Sequence, residues 1–149
     1  MFVELKLKYY VLAIAIILID QLSKVFLINK SFTIIPNVLD ITYTENYGAA
    51  FGIGTKYIIM LFSVIIIVGI LTYIIHEKNK ITSFSPYILI LAGSIGNLID
   101  RLFRGYVIDF IDLDFMNFPI FNIADICITL GVCILLVNFL KNKIKQIRG

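Results

Sequence analysis

The sequence predicts a membrane all-α protein with a small β element, built on four transmembrane helices with both termini cytoplasmic. Three observations carry that class. The chain is 60% hydrophobic with only 15% charged residues and a mean hydropathy of +0.96, against about 45–50% apolar and about 25% charged in soluble domains. Its apolar residues gather into four stretches of about 20, the length that crosses a bilayer. Its Lys and Arg residues sit in alternate connections, which is the pattern that sets orientation. The length fits one integral membrane domain, 1–149.

The first span is Tyr9–Ile28, interrupted by Asp20, Gln21 and Lys24. Lys6 and Lys8 before an apolar run also suggest a secretory signal. However, Asp20-Gln21-Leu22-Ser23-Lys24 stands where a small-residue cleavage site belongs, so the expectation is a retained helix. The second span, Tyr57–Ile75, has no charge. The third, Pro86–Phe103, carries Asp100 and Arg101 near its end, and the fourth, Phe121–Leu140, carries Asp125 near its start.

Lys6, Lys8, Lys78, Lys80, Lys141, Lys143, Lys145 and Arg148 all fall on one side, eight of the thirteen cationic residues. The positive-inside rule places that side, and both termini, in the cytoplasm. Connections 31–56 and 105–120 then face outward.

Depth organises the polar residues. A central carboxylate costs about 2.5–3.5 kcal/mol on insertion scales, so each one retained calls for a reason. Asp20 and Lys24 lie four apart and can pair. Gly93, Gly96, Asn97 and Asp100 follow i, i+3, i+4 and i+7 and share one face, where the glycines admit a neighbouring backbone. Asn122, Asp125 and Thr129 form a polar stripe on the fourth span. These groups converge on the outer edge of the bilayer.

The outer connections carry structure of their own. Leu39-Asp40-Ile41-Thr42-Tyr43-Thr44 alternates apolar and polar residues like a half-buried strand, with a turn at Ile35-Pro36-Asn37 before it. The stretch from Asn46 to Gly52 is rich in small residues. Gly105 to Asp112 is strongly apolar and is expected along the membrane interface, carrying Asp109.

Elimination narrows the chemistry. The single histidine, His76, lies at the cytoplasmic end of the second span, which removes Ser/His and Cys/His nucleophiles. Position 80 is Lys, so His76-Glu77 does not open an HExxH zinc motif, and no metal or other cofactor is expected. Cys127 and Cys133 are six apart on one helix and read as buried small hydrophobes. There is no glycine-rich phosphate loop and no basic run interleaved with aromatics, so nucleic acid is not an expected partner. Ser23 and Lys24 are adjacent and face different ways.

Carboxylates remain, with Asp109 and Asp125 foremost and Asp100, Asp112 and Asp114 near. Two close carboxylates share a proton, so one can take a proton from water while the other donates to a carbonyl oxygen. Structural roles compete with that reading. Asn122-x-x-Asp125 has the spacing of a helix N-terminal capping box, Asp109 alone reads as a solvated loop residue, and Asp20 with Lys24 reads as an ion pair. The residues alone establish a polar site at the outer membrane edge.

Five short motifs in order resemble the lipoprotein signal peptidase (signal peptidase II) family of bacterial membrane aspartic proteases. They are Asp20-Gln21-x-x-Lys24, Asn46-x-Gly48-Ala49-Ala50-Phe51-Gly52, Gly96-Asn97-x-x-Asp100-Arg101, Gly105-x-Val107-x-Asp109-Phe110 and Phe121-Asn122-x-Ala124-Asp125. The resemblance implies four helices, a small extracytoplasmic sheet and an interfacial segment in the bacterial cell membrane, with the site near the outer face. It implies cleavage of diacylglyceryl-modified prolipoproteins before the lipidated Cys, with membrane lipid as surroundings. It implies Asp109 and Asp125 as the catalytic pair. Asn46, Gly48, Asn97, Arg101 and Asn122 would hold substrate or the pair's geometry, and Asp20, Lys24 and Asp100 would act as supports. Residue 106 is Tyr where many members carry a smaller or more polar group. Two other classes stay open. A small proton-coupled transporter or channel would place carboxylates near the midplane and often in repeated halves. A non-enzymatic assembly subunit would need the glycine face alone.

Overall fold

The computed structural model describes residues 7–48, 55–77, 81 and 83–148. Ala49 to Gly52 of the small-residue motif, and Lys6, Lys78 and Lys80 of the cationic side, lie outside the described residues. Elements run in the order α1 (Leu7–Phe26), β1 (Ser31–Ile35), β2 (Leu39–Asn46), α2 (Thr55–Glu77), α3 (Ser85–Phe103), β3 (Val107–Asp112) and α4 (Ile123–Arg148). All four helices are long and apolar enough to cross a membrane. Even α3, with 19 residues, reaches about 28 Å at 1.5 Å per residue. The helix α4 continues past the expected end at Leu140, because no Pro or Gly interrupts Lys141 to Arg148.

The helix α3 is the hub and packs against α1, α2 and α4. Glycine makes its crossing with α4 close from both sides. A Cβ on Gly93 would strike the Ala124 carbonyl oxygen, and one on Gly131 would stand 2.6 Å from that of Pro86. Gly96 leaves room for a side chain, since a Cβ there would lie 2.7 Å from Asp20 Oδ2. The expected face of α3 is therefore real: Gly93, Gly96, Asn97 and Asp100 are all buried. Ile16, Ala92 and Cys127 fill the space among α1, α3 and α4. Ile74, Ile88 and Leu91 join α2 to α3. The other faces of α1, α2 and α4 expose large apolar side chains such as Leu22, Phe62 and Leu136, which suits a lipid surround.

The three strands form one antiparallel sheet in the order β1-β2-β3. The expected strand is β2, and Asn37, with φ 58°, closes the turn before it. β1 was not expected. Its five residues, Ser31-Phe32-Thr33-Ile34-Ile35, are all exposed. The stretch expected along the interface forms β3, an edge strand of this sheet. Val107, Ile108, Asp109 and Phe110 are buried, and Ile108 and Phe110 pack with Leu27 and Ile41. Its apolar run reflects burial against the protein.

Both long connections, and hence the whole sheet, lie at one end of the bundle, where α1 and α3 finish and α2 and α4 begin. The chain leading into α4 is stitched to β3: Phe121 N–H donates to Ile111 O at 3.1 Å, and Ile111 N–H returns to Phe121 O at 2.8 Å. That stitch brings Asp109, on β3, and Asp125, in the first turn of α4, to the same place. The cysteines divide. Cys127 is buried, but Cys133 is exposed, because six positions along a helix turn it to another face.

Candidate active site

Asp109 and Asp125 line one cavity of about 550 Å³, with Asn46 in its wall and Phe118, Ile126 and Leu130 as apolar sides. Asp125 also borders a second cavity of about 330 Å³, together with Asn97 and Arg101. Asp109 is only 2% exposed. Burial pushes its carboxyl above the usual range and the charge of Asp125 adds to this, against the opposing hydrogen bonds from Asn46 and Asn122.

Three asparagines hold the two carboxylates. Asn46 Nδ2 donates to Asp109 Oδ2 at 2.8 Å, and Asn122 Nδ2 to Asp109 Oδ1 at 2.6 Å. Asn97 Nδ2 donates to Asp125 Oδ1 at 2.7 Å. The oxygen and nitrogen of an amide look alike, so its direction must come from its partners. Here each direction is forced by a group that can only donate. Asn46 Oδ1 accepts the Gly48 backbone N–H at 2.9 Å. Asn122 Oδ1 accepts the Asp125 backbone N–H at 3.0 Å. Asn97 Oδ1 accepts from the Lys24 ammonium at 3.0 Å. With every oxygen engaged, all three NH2 groups must face carboxylates. Gly48 serves through its backbone: its φ of +66°, open to glycine at little strain, turns its N–H back to Asn46.

The capping-box reading is also correct. Asn122 is the N-cap of α4, and its own N–H donates to Asp125 Oδ2 at 3.2 Å, completing the reciprocal pair. Cap and cavity wall are thus the same residues.

Behind this layer lies a buried ionic network. Lys24, with 0% exposure, meets Asp20 Oδ2 at 2.9 Å and Asp100 Oδ2 at 2.8 Å besides Asn97, so its three ammonium protons have three acceptors. Asp20 Oδ1 accepts the Ala124 N–H at 2.9 Å, so α1 caps the start of α4. Asp100 also accepts from Arg104 and from the Ile108 backbone N–H. Two carboxylates and two cations balance here, which a buried network requires.

Arg101 donates through Nη1 to Asn97 O at 3.2 Å. Two participants, Gln21 of the first motif and Arg104, were given no role from sequence. Gln21 donates to Asp20, Asp100 and Gly96 O, and Arg104 donates to Gln21 Oε1 at 2.9 Å. The i, i+4 spacing of Asp100 and Arg104 was a usable signal. Beside Asn46, the hydroxyls of Tyr43 and Tyr47 hold the Glu45 carboxylate and keep it below its usual range. The described residues contain no group of three or more His, Cys, Asp or Glu side chains placed to hold a metal ion.

Residues 12–141 match a family model described as signal peptidase (SPase) II. The lipoprotein signal peptidase of Staphylococcus haemolyticus (strain JCSC1435) is 41% identical, over 93% of this chain and 97% of that protein. Its counterpart in Latilactobacillus sakei subsp. sakei (strain 23K) is 39% identical with the same coverage, 93% and 97%. Two solved structures, each described as a bacterial membrane enzyme, superpose closely. One has a TM-score of 0.82 at 33% identity, covering 91% of this chain and 89% of that one. The other has 0.81 at 34%, covering 90% and 93%.

Proposed function

The chain belongs to the signal peptidase II family, and from that premise we propose that it is an aspartic endopeptidase cutting diacylglyceryl-modified prolipoproteins immediately before the lipidated Cys, with Asp109 and Asp125 as the catalytic pair. Family membership makes it a multi-pass membrane peptidase acting on lipoprotein signal peptides. The mechanism and the point of cleavage are our reading. It rests above all on the three asparagines whose amide groups are all forced to face two carboxylates in one cavity.

The steps follow from the two environments. Asp109 is buried and its carboxyl holds a proton readily. Asp125 sits in the first turn of α4, where the helix dipole favours a carboxylate. Ionised Asp125 takes a proton from water as the water oxygen bonds to the scissile carbonyl carbon. Asp109 gives its proton to the carbonyl oxygen, forming a gem-diol. Asp125 then passes its proton to the leaving nitrogen while Asp109 takes one back from the diol, and the C–N bond breaks. The pair returns to its starting state with no covalent intermediate and no metal.

Asn46 and Asn122 hold Asp109, and Asn97 holds Asp125. Arg101, whose guanidinium has donors beyond the one given to Asn97 O, is placed to meet a substrate carbonyl. The apolar wall at Phe118, Ile126 and Leu130 suits acyl chains or the apolar signal segment. Both termini are assigned to the cytoplasm and the carboxylate end to the outer face of the bacterial cell membrane, where a lipidated substrate and water can both arrive. A transporter is disfavoured because the carboxylates gather at one end of the bundle, beside the sheet. The deciding experiment is cleavage of a diacylated prolipoprotein by purified wild type, Asp109→Asn and Asp125→Asn.

A further inference from the structure

We propose that Lys24 is a positioning residue for the carboxylate pair, fixing the direction of the Asn97 amide so that Asn97 holds Asp125 Oδ1. This inference rests on the reading of Asp109 and Asp125 as the catalytic pair.

The geometry runs in one line through the bundle. Lys24 Nζ, on α1, reaches Asn97 Oδ1, on α3, at 3.0 Å, and Asn97 Nδ2 reaches Asp125 Oδ1, on α4, at 2.7 Å. Asn122 Nδ2 adds a weaker contact to Asn97 Oδ1 at 3.2 Å. A reversed Asn97 amide would set its NH2 against the ammonium and the Asn122 NH2. It would also set its oxygen against the Asp125 carboxylate. Both contacts are repulsive, and the ammonium contributes the larger penalty because it is a full, buried charge. A neutral side chain at position 24 leaves Asn122 alone to choose the direction, and Asn122 is already engaged with Asp109 Oδ1 and Ile108 O.

Lys24 does not line either cavity that Asp125 borders, so it does not touch substrate; it reaches Asp125 through Asn97, and its charge also opposes protonation of Asp109 directly. The other charged groups around this line are Asp20 on α1, Asp100, Arg101 and Arg104 on α3, and Asp109 on β3. Asp20, Asp100 and Arg104 stay paired among themselves and with Lys24. Arg101 shares a cavity with Asp125 and lies within reach of the charges of Asp125 and Asp109. The helix α2 brings the uncharged Ser63 to the cavity shared by Asn97 and Asp125. Lys24 is thus the cation that reaches Asp125 through a hydrogen-bonded amide.

The test uses the full chain in detergent micelles with a diacylated lipopeptide substrate, comparing wild type, Lys24→Met, Asn97→Ala and the double variant. Rates are normalised to folded protein. Lys24→Met is expected to lower kcat by about tenfold or more, the scale of one charge-assisted hydrogen bond, with KM within about twofold of wild type. The acid limb of its pH profile should move upward, because the ionised state of the pair has lost support. Asn97→Ala should do the same, and the double variant should lose little more than either. If Lys24→Met does not fold, Lys24→Gln is measured instead: it removes the charge that sets the Asn97 direction while keeping a polar partner for Asp20 and Asp100, and the same loss of kcat is expected. Wild-type kcat and pH profile per folded molecule, or a change in KM alone, would overturn the positioning role. Those outcomes are separable from failure of the catalytic pair itself, which would show as turnover by Asp125→Asn.

Discussion

Asn122 binds both carboxylates at once: its side-chain NH2 donates to Asp109 Oδ1 at 2.6 Å and its backbone N–H donates to Asp125 Oδ2 at 3.2 Å, while its side-chain oxygen caps α4 by accepting the Asp125 backbone N–H at 3.0 Å. A helix cap and the clamp of the two carboxylates are therefore one residue. The start of α4 cannot fray without releasing Asp109. Asn122→Ala should lose both functions. Loss of an N-cap lowers stability by about 1 kcal/mol, and release of Asp109 should lower cleavage by about tenfold to a hundredfold. Thermal unfolding and kcat measured on the same preparation check this. A stability loss with unchanged kcat would leave the cap and remove the clamp.

Helix packing gives a second prediction with its own control. A Cβ at Gly93 meets the backbone carbonyl of Ala124, which cannot move without shifting α4, whereas a Cβ at Gly69 meets nothing within 4 Å. Gly93→Ala should destabilise the protein by about 1–3 kcal/mol and depress cleavage, because α4 carries Asp125. Gly69→Ala should be neutral or slightly stabilising, since Ala is the better helix former. Equal effects at both positions would contradict the close crossing of α3 and α4.

Most of the bundle was legible from sequence, and the reasons differ by element. The helices announce themselves because bilayer thickness demands long apolar runs, and the buried face of α3 because its residues fall at i, i+3, i+4 and i+7. β1 was hidden because it is short and all five of its residues are exposed, so the alternation of Ser31-Phe32-Thr33-Ile34 marks no buried face. β3 was not expected as a strand because an apolar run reads the same whether it packs on the protein or lies at an interface, and only pairing with β2 reveals it. The carboxylates were found by elimination. The donors that orient their asparagines were not found, since Lys24 and Asn97 stand 73 positions apart and backbone donors leave no trace in composition.

The ionisation of Asp109 makes a prediction about stability and pH. Its folded-state carboxyl lies above the usual range, first through burial and then through the charge of Asp125. The folded state therefore holds the proton more tightly than the unfolded state, so this group favours folding less as pH rises past the unfolded carboxyl value, about 3.9. Comparing unfolding of wild type and Asp109→Asn at rising pH, the difference should move in favour of the variant from the unfolded carboxyl value upward and level off once the folded carboxyl has ionised. A difference that is flat with pH, or that moves the other way, would show that Asp109 is not perturbed upward.

Orientation is tested with cysteine accessibility. Cys127 and Cys133 are first replaced by Ala so that the introduced cysteine is the only thiol. A Cys at position 147, at the end of α4 remote from the sheet, should then resist an impermeant thiol reagent in intact cells, while a Cys at position 37, in the turn between β1 and β2, should react. The reverse pattern would put the carboxylates on the cytoplasmic side.

The proposed catalytic pair yields the sharpest prediction. Asp109→Asn and Asp125→Asn keep side-chain shape and remove the titrating oxygen, and each should abolish cleavage of a diacylated prolipoprotein. At position 125 the cap is preserved, because the Asn oxygen can still accept the Asn122 N–H that Asp125 accepts now at 3.2 Å. Stability should therefore change little while turnover disappears. The double variant should lose little more than either single one, since groups that act as a unit are not additive. A role for Asp125 confined to capping predicts the opposite pattern, with activity retained wherever the fold is. Each variant is purified, its unfolding temperature compared with wild type, and cleavage followed at matched folded concentration. Substantial turnover by Asp125→Asn would dissolve the pair and leave a capping box beside an unexplained buried carboxylate at Asp109.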